Sequence, residues 1–347
     1  MGRKRVLVVG GTGHFGRLLT EDLRRYTDCE LVVTDRRVVD LRNPASIESS
    51  LADVAVAVCA AGPFQRVPVT LAEICLRRGI HYIDLADDRS FVRKIRSLAT
   101  ETRADMPAIC SGWSTVSALS GVLTQIGATP LDVVDAIYIH MATGNRLPKS
   151  AATIASLLYS VGQPFDIFRN AHWRTVYGWS EPRDFIFPTP IGRRRGYLLD
   201  VPDHELFPRL FAARTVEFRT ASESRALNIV MGLFARLVKR HWVGHASSWN
   251  RMFQWGARLI EFTGHSWGAI GVQVSGSSGH KPVTRRVTVI ADSDAQRIAV
   301  MPASVMTSLL LSGSRHRGVV SPAHWLTPEQ LQDECQKRHF RMLVEEL

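Results

Sequence analysis

The residues from Val6 to Gly16 constrain this chain more than any others. Val6-Leu7-Val8-Val9 is a continuous apolar run, and Gly10-Gly11-Thr12-Gly13-His14-Phe15-Gly16 follows at once. Phe15, Leu18, Leu19 and Leu23 then recur at helical spacing. The pattern predicts a buried strand, a glycine-rich turn and the start of a helix. In that setting the first glycine permits a tight turn, the second removes a Cβ that would block a diphosphate, and the third lets helix and strand pack closely. The N–H groups of the first helical turn have no partner within the helix, and the helix dipole favours an anion there. Gly10, Gly11, Thr12, Gly13, His14, Phe15 and Gly16 are therefore the candidate phosphate-binding residues of a dinucleotide site. A glycine-rich turn without a ligand is the competing reading.

The same alternation continues. Strands are expected over Glu30–Thr34, Val54–Ala61, His81–Leu85 and Pro107–Ser111. Helices are expected over Pro44–Leu51 (capped by Asn43), over Val69–Arg78 (closed by Gly79) and over 89–102. Strands separated by helices of this length imply a Rossmann-type, doubly wound parallel sheet over residues 1–127. From there the pattern changes. A helix over Val116–Ile126 leads to a longer strand over Leu131–Met141, a helix over Ala151–Val161, a loop-rich stretch over 163–206, and a helix from Ala226. Two strands, Ala269–Ser275 and Val283–Ala291, are joined by a longer loop. Residues 128–324 thus read as a second α+β domain on a mostly antiparallel sheet, suited to substrate binding and dimerisation. A helix over Ala303–Leu311 and the C-terminal segment 325–347, with its helix from Pro328, are expected to pack back on the first domain.

Asp35 stands 19 residues after Gly16, at the end of the second expected strand. A carboxylate there can accept hydrogen bonds from the adenosine ribose, which favours NAD. Arg36 and Arg37 follow immediately, and guanidinium groups suit the additional phosphate of NADP. The two signals oppose each other, and a plain strand-end turn residue is the alternative for Asp35.

Two further stretches carry more specific information. Cys59-Ala60-Ala61-Gly62-Pro63-Phe64-Gln65 is followed by Leu71-Ala72-Glu73-Ile74-Cys75-Leu76 and by Gly79-Ile80-His81-Tyr82-Ile83-Asp84. An apolar strand with a G-P-F turn, a helix bearing a cysteine and an H-Y-I-D strand resemble the saccharopine dehydrogenase-like family. The resemblance is clear over about residues 5–125. Gly271-Val272-Gln273-Val274 and Gly318-Val319-Val320 are similar to the family's later hairpin and its C-terminal turn. The resemblance implies an NAD(P)-dependent oxidoreductase transferring hydride at a C–N bond, an imine or secondary amine, of a small or medium substrate, with NADP favoured. It also implies that Ala60, Ala61, Gly62 and Pro63 line the cofactor, and that Tyr82 and Asp84 stand near the nicotinamide. At Ser111-Gly112-Trp113-Ser114 the sequence departs from the family's proline- and glycine-bearing turn.

Tyr82 and Asp84 alternate onto one strand face and are titratable, so they are the candidate proton carriers. The alternative is a packed tyrosine and a capping carboxylate. Arg146 and Lys149 are candidates for gripping a substrate carboxylate or else exposed basic side chains. The five cysteines form no C-x-x-C pair, and the histidines show no metal spacing, so neither a zinc site nor a disulfide framework is expected. No G-x-S-x-G elbow is present, which argues against a hydrolase. The net charge of +11 comes without basic runs interleaved with aromatics, so no nucleic-acid partner is expected. No apolar run is long enough to span a membrane, and a cytoplasmic location is expected. The segment 226–243 is apolar yet broken by Arg236, Lys239 and Arg240, which leaves peripheral membrane contact open, as is a homodimer. Two alternatives stand beside the oxidoreductase: a non-catalytic NAD(P)-binding redox sensor or scaffold, and a membrane-associated reductase of a lipid-like intermediate.

Overall fold

The computed structural model describes residues 3–99 and 105–347. The chain begins with strict alternation: β1 (Arg5–Val9), α1 (His14–Tyr26), β2 (Glu30–Thr34), α2 (Pro44–Ser50), β3 (Val54–Cys59), α3 (Thr70–Arg78), β4 (His81–Asp84), α4 (Arg89–Ser97) and β5 (Ala108–Cys110). Local chemistry sets these limits. The Asn43 side chain accepts from the Ala45 N–H and starts α2, with Pro44 in the first turn. Gly79 ends α3 at φ +71°, in the left-handed region. The helix expected over 89–102 ends at Ser97, and the last residues of that expectation lie outside the described residues.

The middle of the chain carries α5 (Ala118–Ala128), β6 (Val133–Thr143), α6 (Ala151–Ser160), β7 (Pro164–Arg169), β8 (His172–Tyr177), β9 (Arg183–Ile186), β10 (Arg193–Leu198), α7 (Asp203–Leu210), β11 (Thr215–Ser222), α8 (Arg225–Lys239), α9 (Asn250–Ile260), β12 (Gly268–Ser278) and β13 (Lys281–Ala291). The end supplies α10 (Arg297–Leu311), β14 (Gly318–Val319), α11 (Pro328–Lys337) and β15 (Arg341–Glu346). Two compact units result. The first holds the described residues up to 119 with 296–325, and the second holds 120–295 with 326–347.

The first unit is an α/β fold on a six-stranded sheet in the order β14-β5-β4-β3-β1-β2, with every pairing parallel. Strand order reverses between β1 and β3, the switch point at which open parallel sheets place their ligand crevice. Val6, Leu7, Val8, Val56, Ala57 and Val58 are all 0% exposed, as both-sided burial of central strands requires. Residues 296–325 return to this unit. Most of α10 is buried, including Val300, Met301, Ala303 and Met306, and Arg297 at its start pairs with Glu21 of α1 at 2.7 Å. Gly318-Val319, read as a turn, is instead a short parallel strand on β5.

The second unit is built on a nine-stranded sheet whose main path runs β15-β13-β12-β6-β11-β10-β9, with β7 on β11 and β8 on β7. Only β6 and β11 run parallel; the other pairings are antiparallel. Three expectations need correction. The stretch 163–206 is not loop-rich but contains β7 to β10 and the start of α7. Its strands are short; β8 opens with exposed His172, Trp173 and Arg174 and β10 opens with Arg193-Arg194-Arg195, so neither begins with an apolar run. The β7–β8 hairpin turns on Asn170 and Ala171, both at positive φ, the geometry of a two-residue turn. The β12–β13 hairpin closes with Ser278 opposite Lys281, a tight turn rather than a long loop. The C-terminal segment does not return to the first unit. β15 pairs along β13 and covers what would otherwise be an open edge of backbone N–H and C=O groups.

Candidate functional site

The loop after β1 is held by its own packing. Gly10 takes φ +76°, and a Cβ there would lie 2.8 Å from the Ala61 backbone. A Cβ on Gly16 would lie 2.1 Å from the Gly10 carbonyl oxygen and 2.6 Å from Gly11 Cα, so no side chain fits. Gly11 is closed off by Val33 Cγ1, 2.5 Å from where its Cβ would be. Gly13 differs, because its added Cβ would meet only the Gly10 oxygen, at 3.2 Å. Gly16 is thus demanded by the turn itself, and Gly10 and Gly11 by the elements packed against it. At Gly13 the missing side chain chiefly leaves the approach to α1 open.

That approach leads to unpaired donors. Gly13 is the N-cap of α1, no side chain caps the helix, and its first turn carries no acidic residue. The first N–H to find a helical carbonyl is that of Arg17, which donates to Gly13 O at 2.9 Å. The His14, Phe15 and Gly16 N–H groups precede it and have no acceptor within the helix. Thr12 and Gly13 are exposed, and His14 and Phe15 half-buried. The His14 ring, at 5.1 Å from the Phe15 ring, bonds through Nε2 to Gln296 Oε1 at 2.7 Å. Gln296 was not foreseen. It comes from the far end of the sequence, and only the return of 296–325 reveals it.

The loop after β3 lies against the first. The Ala60 N–H donates to Val9 O at 2.8 Å, continuing the β1–β3 pairing past the end of the strands. Ala60, Ala61 and Pro63 are half-buried and Gly62 is exposed, with a cis bond between Gly62 and Pro63. The structure therefore brings Gly10 and Ala61 together at the switch point. Asp35 follows directly on β2. Its Oδ1 accepts from the Arg37 N–H at 2.8 Å and the Val38 N–H at 3.3 Å, an Asx turn that fixes the loop. Asp35 is half-buried; Arg36 and Arg37 are exposed.

Tyr82 and Asp84 are neighbours, as their shared strand face requires, but they are 1% and 0% exposed. Asp84 Oδ1 accepts from the Ala86 N–H at 3.0 Å and the Gly112 N–H at 2.9 Å, and the Trp113 N–H donates to the Asp84 carbonyl at 2.8 Å. The carboxylate ties the end of β4 to the loop after β5. No well-aligned hydrogen bond reaches Oδ2 among the described residues, although the Ser111 and Tyr82 hydroxyls lie near enough to favour the ionised form. Burial nevertheless dominates and raises the carboxyl to about 6. Burial, helped by Asp84, pushes the Tyr82 hydroxyl well above its ordinary range. A proton carrier must touch its substrate, and in this arrangement neither side chain reaches the surface. Asp84 anchors the loop instead, and Tyr82 is packed beside it. Burial also pushes the Cys59 and Cys75 thiols up to about 12 and raises Cys110, which makes all three poor nucleophiles.

In the second unit, Lys149 Nζ donates to the Asn145 and Leu147 carbonyls at 3.0 and 3.2 Å, which gives it a structural occupation. A charged cluster that no local pattern announced lies on the sheet. Glu217, 4% exposed, accepts from Arg169 at 2.6 Å and Arg219 at 2.5 Å. Arg183 stacks on Tyr138 at 3.5 Å, and His140 stacks on Phe185 at 4.6 Å. Burial first, then Arg219, Arg183 and Arg286, hold the His140 ring well below its ordinary range, so it is neutral.

No protein-family model matches this chain, and no curated protein matches it in sequence. Solved structures do resemble it in fold. A C. glutamicum DAP dehydrogenase in complex with DAP aligns over 97% of this chain and 99% of its own, at 14% identity and a TM-score of 0.47. An engineered D-amino acid dehydrogenase bound to NADP+ aligns over 97% of this chain and 99% of its own, at 15% identity and a TM-score of 0.48. An amine dehydrogenase from Mycobacterium smegmatis aligns over 93% of this chain and 95% of its own, at 8% identity and a TM-score of 0.41. Likeness this distant decides neither activity nor substrate, which rest on the geometry of the two loops.

Proposed function

We propose that the first unit binds NAD(P) and that the protein is an NAD(P)-dependent oxidoreductase of the saccharopine dehydrogenase-like kind. The observation that carries this reading is the pairing, at the sheet's switch point, of an uncapped helix N-terminus with a glycine approach that packing alone does not demand. The His14, Phe15 and Gly16 N–H groups would hold the diphosphate, with Gly10, Gly11, Thr12 and Gly13 shaping the turn. Asp35, through the oxygen its own turn leaves over, and Arg36 with Arg37 would hold the adenosine end. Ala60, Ala61, Gly62 and Pro63 would form the wall beside the ring that reacts. When bound, the dinucleotide supplies or takes a hydride. In the direction of reduction at a C–N bond, one hydride and one proton convert an imine to an amine. Asp84 acts in this scheme as a positioning residue that fixes the loop after β5.

The burial of Tyr82 and Asp84 favours a second reading, an NAD(P)-binding sensor or scaffold without turnover, because the site then lacks the proton carriers assigned to it. Incubating the protein with stoichiometric NADPH and a panel of cyclic imines and amino-acid-derived imines separates the two. Loss of the 340 nm absorbance of NADPH, a wavelength set by the nicotinamide ring, with any imine supports the oxidoreductase. Tight binding without any oxidation supports the sensor.

A further inference from the structure

Helices α8 and α9 of the second unit are apolar on two sides. Met231, Ala235 and Val238 of α8 and Ala257 of α9 are buried in a cluster with Leu158 and Trp179. Phe234 ties the two helices together, 5.1 Å from the Phe253 ring and 6.1 Å from the Trp249 ring. Their opposite sides face solvent. On α8, Ile229, Val230 and Leu233 are 58, 57 and 52% exposed. On α9, Trp255 and Leu259 are 65 and 55% exposed, and the flanking Trp242 and Phe262 reach 72 and 85%. A surface helix needs one apolar face; a second, aromatic-rich one marks a surface that something covers.

The charges say what. Between Arg225 and Phe262 the chain carries six cations, Arg225, Arg236, Lys239, Arg240, Arg251 and Arg258, against one acid, Glu261. All six are exposed, and none makes an ion pair among the described residues. A second copy docked on this face about a two-fold axis would set the cationic patch against itself. An anionic lipid surface complements it. Exposed Trp and Phe beside Arg and Lys on paired amphipathic helices form the composition that settles at the boundary between headgroups and acyl chains. No helix among the described residues is long and apolar enough to cross a membrane, so the attachment is peripheral. We infer that the outer face of α8 and α9, with Trp242 and Phe262, docks this protein on anionic membrane surfaces.

The test is co-sedimentation of the full chain with vesicles of phosphatidylcholine alone and of an equal mixture of phosphatidylcholine and phosphatidylglycerol. Binding to the mixed vesicles about tenfold or more tighter than to the neutral ones is expected, weakening as salt rises. The triple variant Trp242→Ser/Trp255→Ser/Phe262→Ser should lose about a hundredfold in vesicle affinity. These side chains are exposed, so its thermal midpoint should match the parent. Arg240→Gln with Arg251→Gln should narrow the gap between the two vesicle types. Failure to bind the mixed vesicles at low salt overturns the inference, and so does equal binding to both kinds. A concentration-dependent dimer that the triple variant abolishes, without vesicle binding, would assign the face to a second copy instead.

Discussion

Replacing Asp84 by asparagine separates charge from hydrogen bonding at the point where β4 ends. The carboxyl is fully buried and raised from 3.8 to about 6, with burial as the largest cause. Between those two values the folded protein binds more protons than the unfolded chain, so stability falls as pH rises through that window and levels off above pH 6. At 1.36 kcal/mol per pH unit, the ionised carboxylate costs the folded state about 3 kcal/mol at neutral pH. Asparagine keeps the oxygen that accepts from Ala86 and Gly112, and offers its amide N–H groups to the nearby Ser111 and Tyr82 hydroxyls. Asp84→Asn is therefore expected to be more stable than the parent by up to about 3 kcal/mol at neutral pH, with the difference shrinking toward zero near pH 4. Asp84→Ala instead strands two buried N–H groups and should lose about 2–4 kcal/mol near pH 4, a deficit that shrinks by about 3 kcal/mol at neutral pH, where the parent carries its costly ionised carboxylate. Urea unfolding of the three proteins at either end of the window reads these differences directly. An asparagine variant less stable than the parent at neutral pH would show that the carboxylate is stabilised by its surroundings, and would refute the reasoning.

Gly16→Ala forces a Cβ to within 2.1 Å of the Gly10 oxygen, where both partners are backbone, and should cost at least about 3 kcal/mol by thermal unfolding along with dinucleotide binding. Asp35→Ser should shift the ratio of NADPH to NADH affinity toward NADPH by about tenfold, and Arg36→Ala with Arg37→Ala should shift it the other way. Unchanged ratios in both variants would remove these residues from the adenosine end. Iodoacetamide at mildly alkaline pH should modify half-buried Cys29 and spare Cys59, Cys75, Cys110 and Cys335 until denaturant is added, as mass spectrometry of the native and unfolded protein would report.

What could be read from the sequence follows from how local each signal is. The run from Val6 to Gly16 encodes strand, turn and helix in adjacent residues, and β2 begins and ends at the expected Glu30 and Thr34. The alternation of Tyr82 with Asp84 told which residues share a face, but not that the face is internal, because burial depends on what the rest of the chain lays over β4. The helix expected over Ala303–Leu311 does pack back on the first unit as α10, but Gln296 beside His14 was invisible for the same reason. The hairpin of β7 and β8 escaped notice because Trp173, Arg174 and His172 are exposed, so apolar alternation is nearly absent on β8. The fate of β15 was decided by an edge on β13 that no property of residues 341–346 reveals.

The most direct test of the central claim is a fluorescence titration of the purified protein with NADPH and, separately, NADH, repeated on Gly13→Val. The parent is expected to bind at least one of them with a Kd in the micromolar range or below, about −8 kcal/mol. The valine side chain should obstruct the approach to the first turn of α1 and abolish binding while the far-ultraviolet dichroism stays unchanged. No binding of either dinucleotide by the parent at millimolar concentration, or undiminished binding by Gly13→Val, would contradict a dinucleotide site at the switch point.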